Sequence, residues 1–393
     1  MRVLEKAQEI NDWVIALRRD FHQHPEPSFE EVRTAAIVAD QLQALGITVT
    51  RIGKTGVLGE LVGDLPGKVI ALRADMDALS VTEATNLPYS SQTPGMMHAC
   101  GHDVHTAMLL GAAKVLSSMK ATLPGTVKFF FQPAEEIAQG AKMMIANGVM
   151  DNPPVDMVYG LHIMPDFPIG KAVVQGGMLM AAADTWKLTV KGVSCHGSSP
   201  WQGADALTCS AAIIQSLQTI ISRVNDARSP VVINIGTIHG GERFNIVPGS
   251  VELTGMNRSF THDTRQKIPQ WMEEIIKNTC AAYRCTYDFE YNMLCSPTIN
   301  DPNVARLVST AVGKIIGFDN IMETEKFMGS EDFSEFSTLV PGLMMFLGAG
   351  NAAKDCCHSL HSNFFKLDED AIVLGVASYA QVALDFLTNQ EAQ

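Results

Sequence analysis

The sequence predicts an α/β protein with a mostly parallel-sheet domain, residues 1–182 and 294–393, interrupted by an inserted ferredoxin-like α+β domain, residues 183–293. Three observations predict it. The 393 residues exceed the roughly 250–300 at which a single core stops growing. Short, continuously apolar runs alternate with helical periodicity over the first 180 residues and again after 297, which is the pattern of a parallel sheet wrapped by helices. Between them, one-in-two alternation from Asp184 to Lys191 marks a sheet with one wet face.

Taken in order, Val3 to Phe21 and Phe29 to Leu45 place apolar residues at spacings of three and four and read as helices. Val69 to Leu72, Thr126 to Phe131 and Met157 to Leu161 read as buried strands, with helices at Val104 to Met119 and Gly140 to Asn147 between them. The insertion reads strand 184–191, helix 204–223, strand 231–239, strand 251–258, helix 263–281 and strand 285–291, a split βαβ order. The α/β pattern then resumes with a helix around Val304 to Ile316, a strand at Leu343 to Leu347 and a last helix from Asp368 to Leu387.

Composition excludes several classes. With 42 acidic against 29 basic residues the net charge is −13, which disfavours a phosphate backbone, so nucleic acid is not an expected partner. No run approaches 18 uninterrupted apolar residues and the start lacks a signal-peptide core, so neither membrane insertion nor export is expected and a cytoplasmic setting is. The eight cysteines show no disulfide-scaffold spacing, so reduced thiols are expected.

Chemistry-bearing residues collect where apolar runs end, the positions at which open α/β sheets gather ligands. Cys100 and His102 flank a glycine that permits a tight turn. Glu135 and Glu136 follow the strand ending at Phe131, and adjacent carboxylates permit a division of labour between metal holding and proton transfer. His162 closes the run Met157 to Leu161. His361 lies in a turn-like stretch, with His358 as its competitor. Each has a plainer reading: a packed thiol, a satisfied core imidazole, or an acidic first helical turn favoured by the macrodipole. Together, Cys100, His102, Glu136, His162 and His361 number about what two bridged metal ions require. In the insertion, His196, Asn245 and Arg258 can grip a carboxylate and polarise a carbonyl, or serve only as a loop cap and a surface ion pair. No dinucleotide fingerprint, Walker sequence or nucleophile elbow is present.

The segments Arg18-Arg-Asp-Phe-His-Gln-His-Pro-Glu-Pro-Ser-Phe-Glu-Glu31, Arg73-Ala-Asp-Met-Asp-Ala-Leu79, Met97-His-Ala-Cys-Gly-His-Asp103, Phe131-Gln-Pro-Ala-Glu-Glu136 and Met328-Gly-Ser-Glu-Asp-Phe333 together resemble the amidohydrolase branch of the aminoacylase and carboxypeptidase metallopeptidases. That branch includes hippurate hydrolases, indole-acetyl-amino-acid hydrolases and N-acetyl-diaminopimelate deacetylases. The resemblance implies two divalent metals (Zn, Mn, Co or Ni) on Cys100, His102, Glu136, His162 and His361, with Glu135 as general base and acid. It implies substrate contacts from His196, Asn245 and Arg258, and an inserted domain that closes over substrate and mediates a homodimer. Asp77 stands behind the ligands; Asp75 occupies the place of a His ligand in related carboxypeptidases. The chain departs from its relatives at Cys195-His-Gly-Ser-Ser-Pro200, at Trp201, and in lacking the usual proline after Ser362.

The expected activity is hydrolysis of small-molecule N-acyl amino acids by a metal-activated water. The alternatives are a dipeptidase or carboxypeptidase on the same fold, a metal-free hydrolase using Cys100 and His102, and a non-catalytic binding protein.

Overall fold

In the computed structural model, which describes residues 3–388, the chain forms two compact units. The first comprises Met1–Gly177, Ile299–Glu325 and Asp332–Gln393; the second comprises Met178–Thr298 together with Lys326–Glu331, a short return segment expected in the first.

The first unit carries an eight-stranded sheet in the order Thr48–Ile52, Gly56–Val62, Pro124–Gln132, Leu65–Asp75, Met157–Pro168, Gly342–Gly350, Ala172–Val173, Ile321–Met322. Strands Pro124–Gln132, Leu65–Asp75, Met157–Pro168 and Gly342–Gly350 run parallel to their neighbours in this central group, and antiparallel pairs flank it. These four are the strands that the apolar runs predict. Phe129, Phe130 and Phe131 are all buried, so successive side chains on opposite faces both meet protein.

Helix His102–Ser117 is buried almost all round and packs against helix Ala371–Thr388 and strand Leu65–Asp75. The first expected helix divides at Ile10 into Val3–Glu9 and Asn11–Gln23, while Val3, Ala7, Val14 and Phe21 remain buried. Helix Ala371–Thr388 is, by length and composition, apolar enough to cross a membrane, but 67% of it is buried inside the protein. Its scattered Ser378, Gln381 and Asp385 break any continuous apolar run.

The second unit is a four-stranded antiparallel sheet, Val231–Gly240, Ser250–Ser259, Ala183–Lys191, Thr286–Cys295, with helices Ala206–Thr219 and His262–Ala282. In chain order the strands lie 2-3-1-4, the ferredoxin-like arrangement. Trp186, Leu188, Ile213, Leu253 and Met272 belong to a core of its own.

Candidate metal centre

Parallel strands end in register here, so their following loops converge. Strand Leu65–Asp75 pairs Asp75 with Gln132 on one side and Arg73 with Gly160 on the other. Asp77, Glu135 and Glu136 follow directly. The third strand, expected to stop at Leu161, continues to Pro168, because beyond Gly160 it stays paired with Gly342–Gly350, where Phe346 faces His162.

Asp77 ties the loops together. Its carboxylate accepts from the Ser28 hydroxyl at 2.7 Å and from the Glu135 and Glu136 amides at 3.1 Å each. His102 Nδ1 donates to it at 3.3 Å, which turns Nε2 toward Glu135 and Glu136, 4.0 and 3.8 Å away. Glu31 supports the same loop from behind, accepting from the Ala134 amide at 2.9 Å where Ala134 takes a positive φ of 54°.

Gly101 has φ 85° and caps helix His102–Ser117, so Cys100 and His102 leave the turn on either side of a residue whose conformation favours glycine. His162 donates from Nδ1 to the Ile163 carbonyl at 2.7 Å, and its Nε2 lies 3.4 Å from Cys100 Sγ. His361, also at positive φ, is held by its amide on the Ala99 carbonyl at 2.8 Å, and its Nε2 lies 3.3 Å from Cys100 Sγ and 3.7 Å from Glu136. His358 turns instead to Asp355 at 3.4 Å.

The structure therefore brings Cys100, His102, Glu135, Glu136, His162 and His361 together. Donor atoms of Cys100, His102 and His162 lie within 4.8 Å of one another, as do those of Cys100, Glu136 and His361, and those of His102, Glu135 and Glu136. His102 Nε2 and Glu136 Oε1 are buried without a hydrogen-bond partner, a costly state that a cation would relieve. Thiolate, imidazole and carboxylate together suit a borderline divalent metal, so the donor set fits a dinuclear centre.

The three imidazoles differ: burial opposes the charge on His102, but Asp75 and Asp77 outweigh it and raise its pKa well above the usual value, so a proton must leave it before a cation binds. Burial holds His162 in its neutral form, and it does the same for His361; neutral imidazole is the ligating species. Burial also pushes the Glu136 carboxyl up to about 7, reinforced by Asp77 and Asp75, so a proton must leave when a cation binds. Burial pushes the Cys100 thiol up to about 12, which argues against a metal-free thiolate nucleophile.

Asp75 is not turned to the centre as a free carboxylate. Its oxygens accept from Arg73 and His105, each at 2.7 Å, and Arg73 continues to Gln132 at 2.9 Å and Asp332 at 3.0 Å. His105, Glu31, Ser28 and Arg73 were missed by the sequence reading as supports. The available signal was the His102-x-x-His105 spacing on a helix start and the position of the others inside the quoted segments.

In the second unit, His196 lies on the short strand Cys195–His196, which pairs with Ile246–Val247, and Asn245 immediately precedes that partner strand. The His196 ring is exposed, with Nδ1 2.7 Å from the Ser198 hydroxyl. Arg258 lies apart on strand Ser250–Ser259, half-buried, with Nη1 lacking a partner.

The chain is 40% identical over 385 residues to thermostable carboxypeptidase 2 of Saccharolobus solfataricus, covering 97% of each. It is 42% identical over 296 residues to an N-acyl-L-amino acid amidohydrolase of Geobacillus stearothermophilus, covering 75% of this chain and 80% of that one. The crystal structure of the Bacillus subtilis YXEP protein, described as a dinuclear metal-binding peptidase, superposes with a TM-score of 0.85 at 33% identity, covering 97% of this chain and 99% of that one. Residues 71–385 match the pattern of peptidase family M20/M25/M40, and the chain belongs to that family.

Proposed function

We propose that this protein is a metal-dependent amidohydrolase that cleaves the amide bond between an acyl group and an amino acid. The observation that carries the reading is the convergence of five donors beside Glu135, with His102 Nε2 and Glu136 Oε1 buried without a hydrogen bond. Cys100, His102, Glu136, His162 and His361 would hold two divalent ions. When bound, such ions supply Lewis acidity, polarising the scissile carbonyl and lowering the pKa of water to about 7.

Glu135 is the proton carrier. Its amide is fixed on Asp77 while its carboxylate reaches to 4.0 Å from His102 Nε2, so it can take a proton from the attacking water and return it to the leaving amine. Asp77 holds the tautomer of His102. In the second unit, His196 and Asn245, which the paired short strands bring side by side, would stabilise the oxyanion, and Arg258, near the far end of strand Ser250–Ser259 from Asn245, would bind the amino acid's free carboxylate. The unpartnered Nη1 of Arg258 supports that assignment, since an anion would satisfy it. A homodimer formed through the second unit, which the resemblance implies, is supported by the exposure of Trp201 and Phe244 there.

The identity to a carboxypeptidase keeps one competing reading, cleavage of short peptides. The test uses protein stripped by chelation and reloaded with Mn, Co or Zn, assayed on acetyl-, benzoyl- and indole-acetyl-amino acids and on dipeptides with a free amino group. Acyl amino acids should turn over, and stripping should abolish the activity. Preference for free dipeptides would replace the proposal with the peptidase reading, and no turnover of either class would refute both. Glu135→Gln should lower kcat by roughly 10²–10⁴-fold while leaving metal binding intact.

A further inference from the structure

The imidazole of His105 has both ring nitrogens committed. It lies three residues after His102 in helix His102–Ser117 and is fully buried. The Ile163 amide donates to its Nε2 at 3.0 Å. An amide N–H only donates, so Nε2 must carry a lone pair and the ring proton sits on Nδ1. Nδ1 donates to Asp75 Oδ1 at 2.7 Å. Asp75 is itself held by Arg73 at 2.7 Å, and the Arg73 carbonyl accepts from the Tyr379 hydroxyl at 2.7 Å. The ring is thereby anchored to the sheet through a chain of buried groups.

What it grips is the peptide that joins His162 to Ile163. The His162 ring in turn leans on the next carbonyl, with Nδ1 donating to Ile163 O at 2.7 Å. The two rings also touch edgewise, with centroids 4.6 Å apart and planes at 66°. His105 thus constrains the backbone and the ring of His162, whose Nε2 faces Cys100 Sγ at 3.4 Å.

We infer that His105 is a positioning residue: by fixing the 162–163 peptide and packing on the His162 ring, it aims His162 Nε2 at the cation site shared with Cys100. This rests on the reading of His162 as a metal ligand, and the experiment below separates the two. The volume of a histidine is not what matters; the acceptor at Nε2 is.

The probe is Co(II), titrated into the full-length stripped chain, because its visible spectrum reports thiolate and imidazole ligation. His105→Gln places an acceptor near the Nε2 position and keeps the bond from Ile163 N–H. His105→Asn places its amide near Nδ1, keeps Asp75 and leaves Ile163 N–H without a partner. Outer hydrogen-bond partners of ligands are generally worth 10–100-fold in metal affinity, so Asn should weaken Co(II) binding by about that factor and Gln by less than about threefold.

In a His162→Ala background the Asn substitution should add almost nothing. Equal losses for Asn and Gln, a greater loss for Gln, or an undiminished loss in the His162→Ala background would overturn the inference. His162→Ala leaving Co(II) stoichiometry and spectrum unchanged would instead overturn the ligand reading, and this inference with it. Should the Asn variant not fold, Gln decides alone: near wild-type affinity supports the inference and a tenfold loss ends it.

Discussion

A single carboxylate oxygen pair can decide what a neighbouring imidazole does, and the chain uses this device on both sides of helix His102–Ser117. On one side Asp77 commits His102 Nδ1 and frees Nε2 for a cation. On the other, Asp103 accepts from Arg18 at 2.9 Å and from His22 Nδ1 at 2.8 Å, and His22 Nε2 meets Glu83 at 3.3 Å. Both ring nitrogens of His22 are thus engaged in a network of side chains. Burial opposes ionisation of Glu83, but hydrogen bonds from His22, the Ser91 amide and Thr85 outweigh it and hold the carboxyl down to about 2. Because that lies below the ordinary 4.5, the unfolded chain binds more protons between the two values. The stabilisation is complete above the higher value and drains away as pH falls toward the lower. Glu83→Gln should therefore lower the thermal midpoint by a few degrees near neutral pH, and the gap should narrow steadily below about pH 4.5. A gap of constant width from about pH 6 to about pH 3 in thermal melts would show that Glu83 acts by shape alone. The proposed ligands carry local signals in the sequence: Glu136 and His162 follow apolar runs, and Cys100 and His102 flank a glycine. Their supports were not legible: His105 and Asp75 stand 30 residues apart, Glu31 and Ala134 103 apart, and nothing local announces a hydrogen bond made across the fold.

At the level of elements, legibility followed burial. The four central parallel strands are apolar on both faces and stand out as continuous runs, whereas Ala172–Val173 and Ile321–Met322 are two residues long, too short to carry any period. Helix His102–Ser117 shows what such burial does for the site. With Val104, Met108, Leu109, Ala112 and Leu116 all inaccessible, the helix has no free face along which to slide, so its first turn is a fixed platform for His102 and His105. Any strain introduced at the cap must be taken up by the turn itself. Gly101→Ala is the direct test. A left-handed conformation costs a non-glycine residue roughly 1–2 kcal/mol, and the added methyl would meet Ile163 Cδ1 at 2.7 Å and Cγ1 at 2.8 Å. Ile163 is the residue whose amide His105 holds. The variant should therefore melt lower and also bind Co(II) more weakly, since Cys100, His102 and His162 all depend on the atoms displaced. A lowered melt with unchanged metal affinity would mean that the turn relaxes without moving the ligands.

Over the whole molecule, the two units differ in what a cation can do for them. All five proposed ligands belong to the first unit, and the second has its own core, in which Ile213, Leu217, Leu253 and Met272 are fully buried. A ligand that binds only the folded form stabilises it by RT ln(1 + [L]/Kd), about 2.7 kcal/mol at a hundredfold excess over Kd. That free energy should enter only the cooperative unit that owns the ligands. Calorimetry of the stripped chain should accordingly resolve two transitions, and Co(II) or Zn should raise one and leave the other in place. Ile213→Ala identifies the second: truncating a fully buried isoleucine costs about 2–5 kcal/mol, so the transition it lowers belongs to the inserted unit. If a single transition appears that both Co(II) and Ile213→Ala displace, the two cores unfold as one and the centre holds together the whole chain. If metal raises only the transition that Ile213→Ala leaves untouched, the inserted unit owes its stability to its own core, and the metal serves the first unit alone.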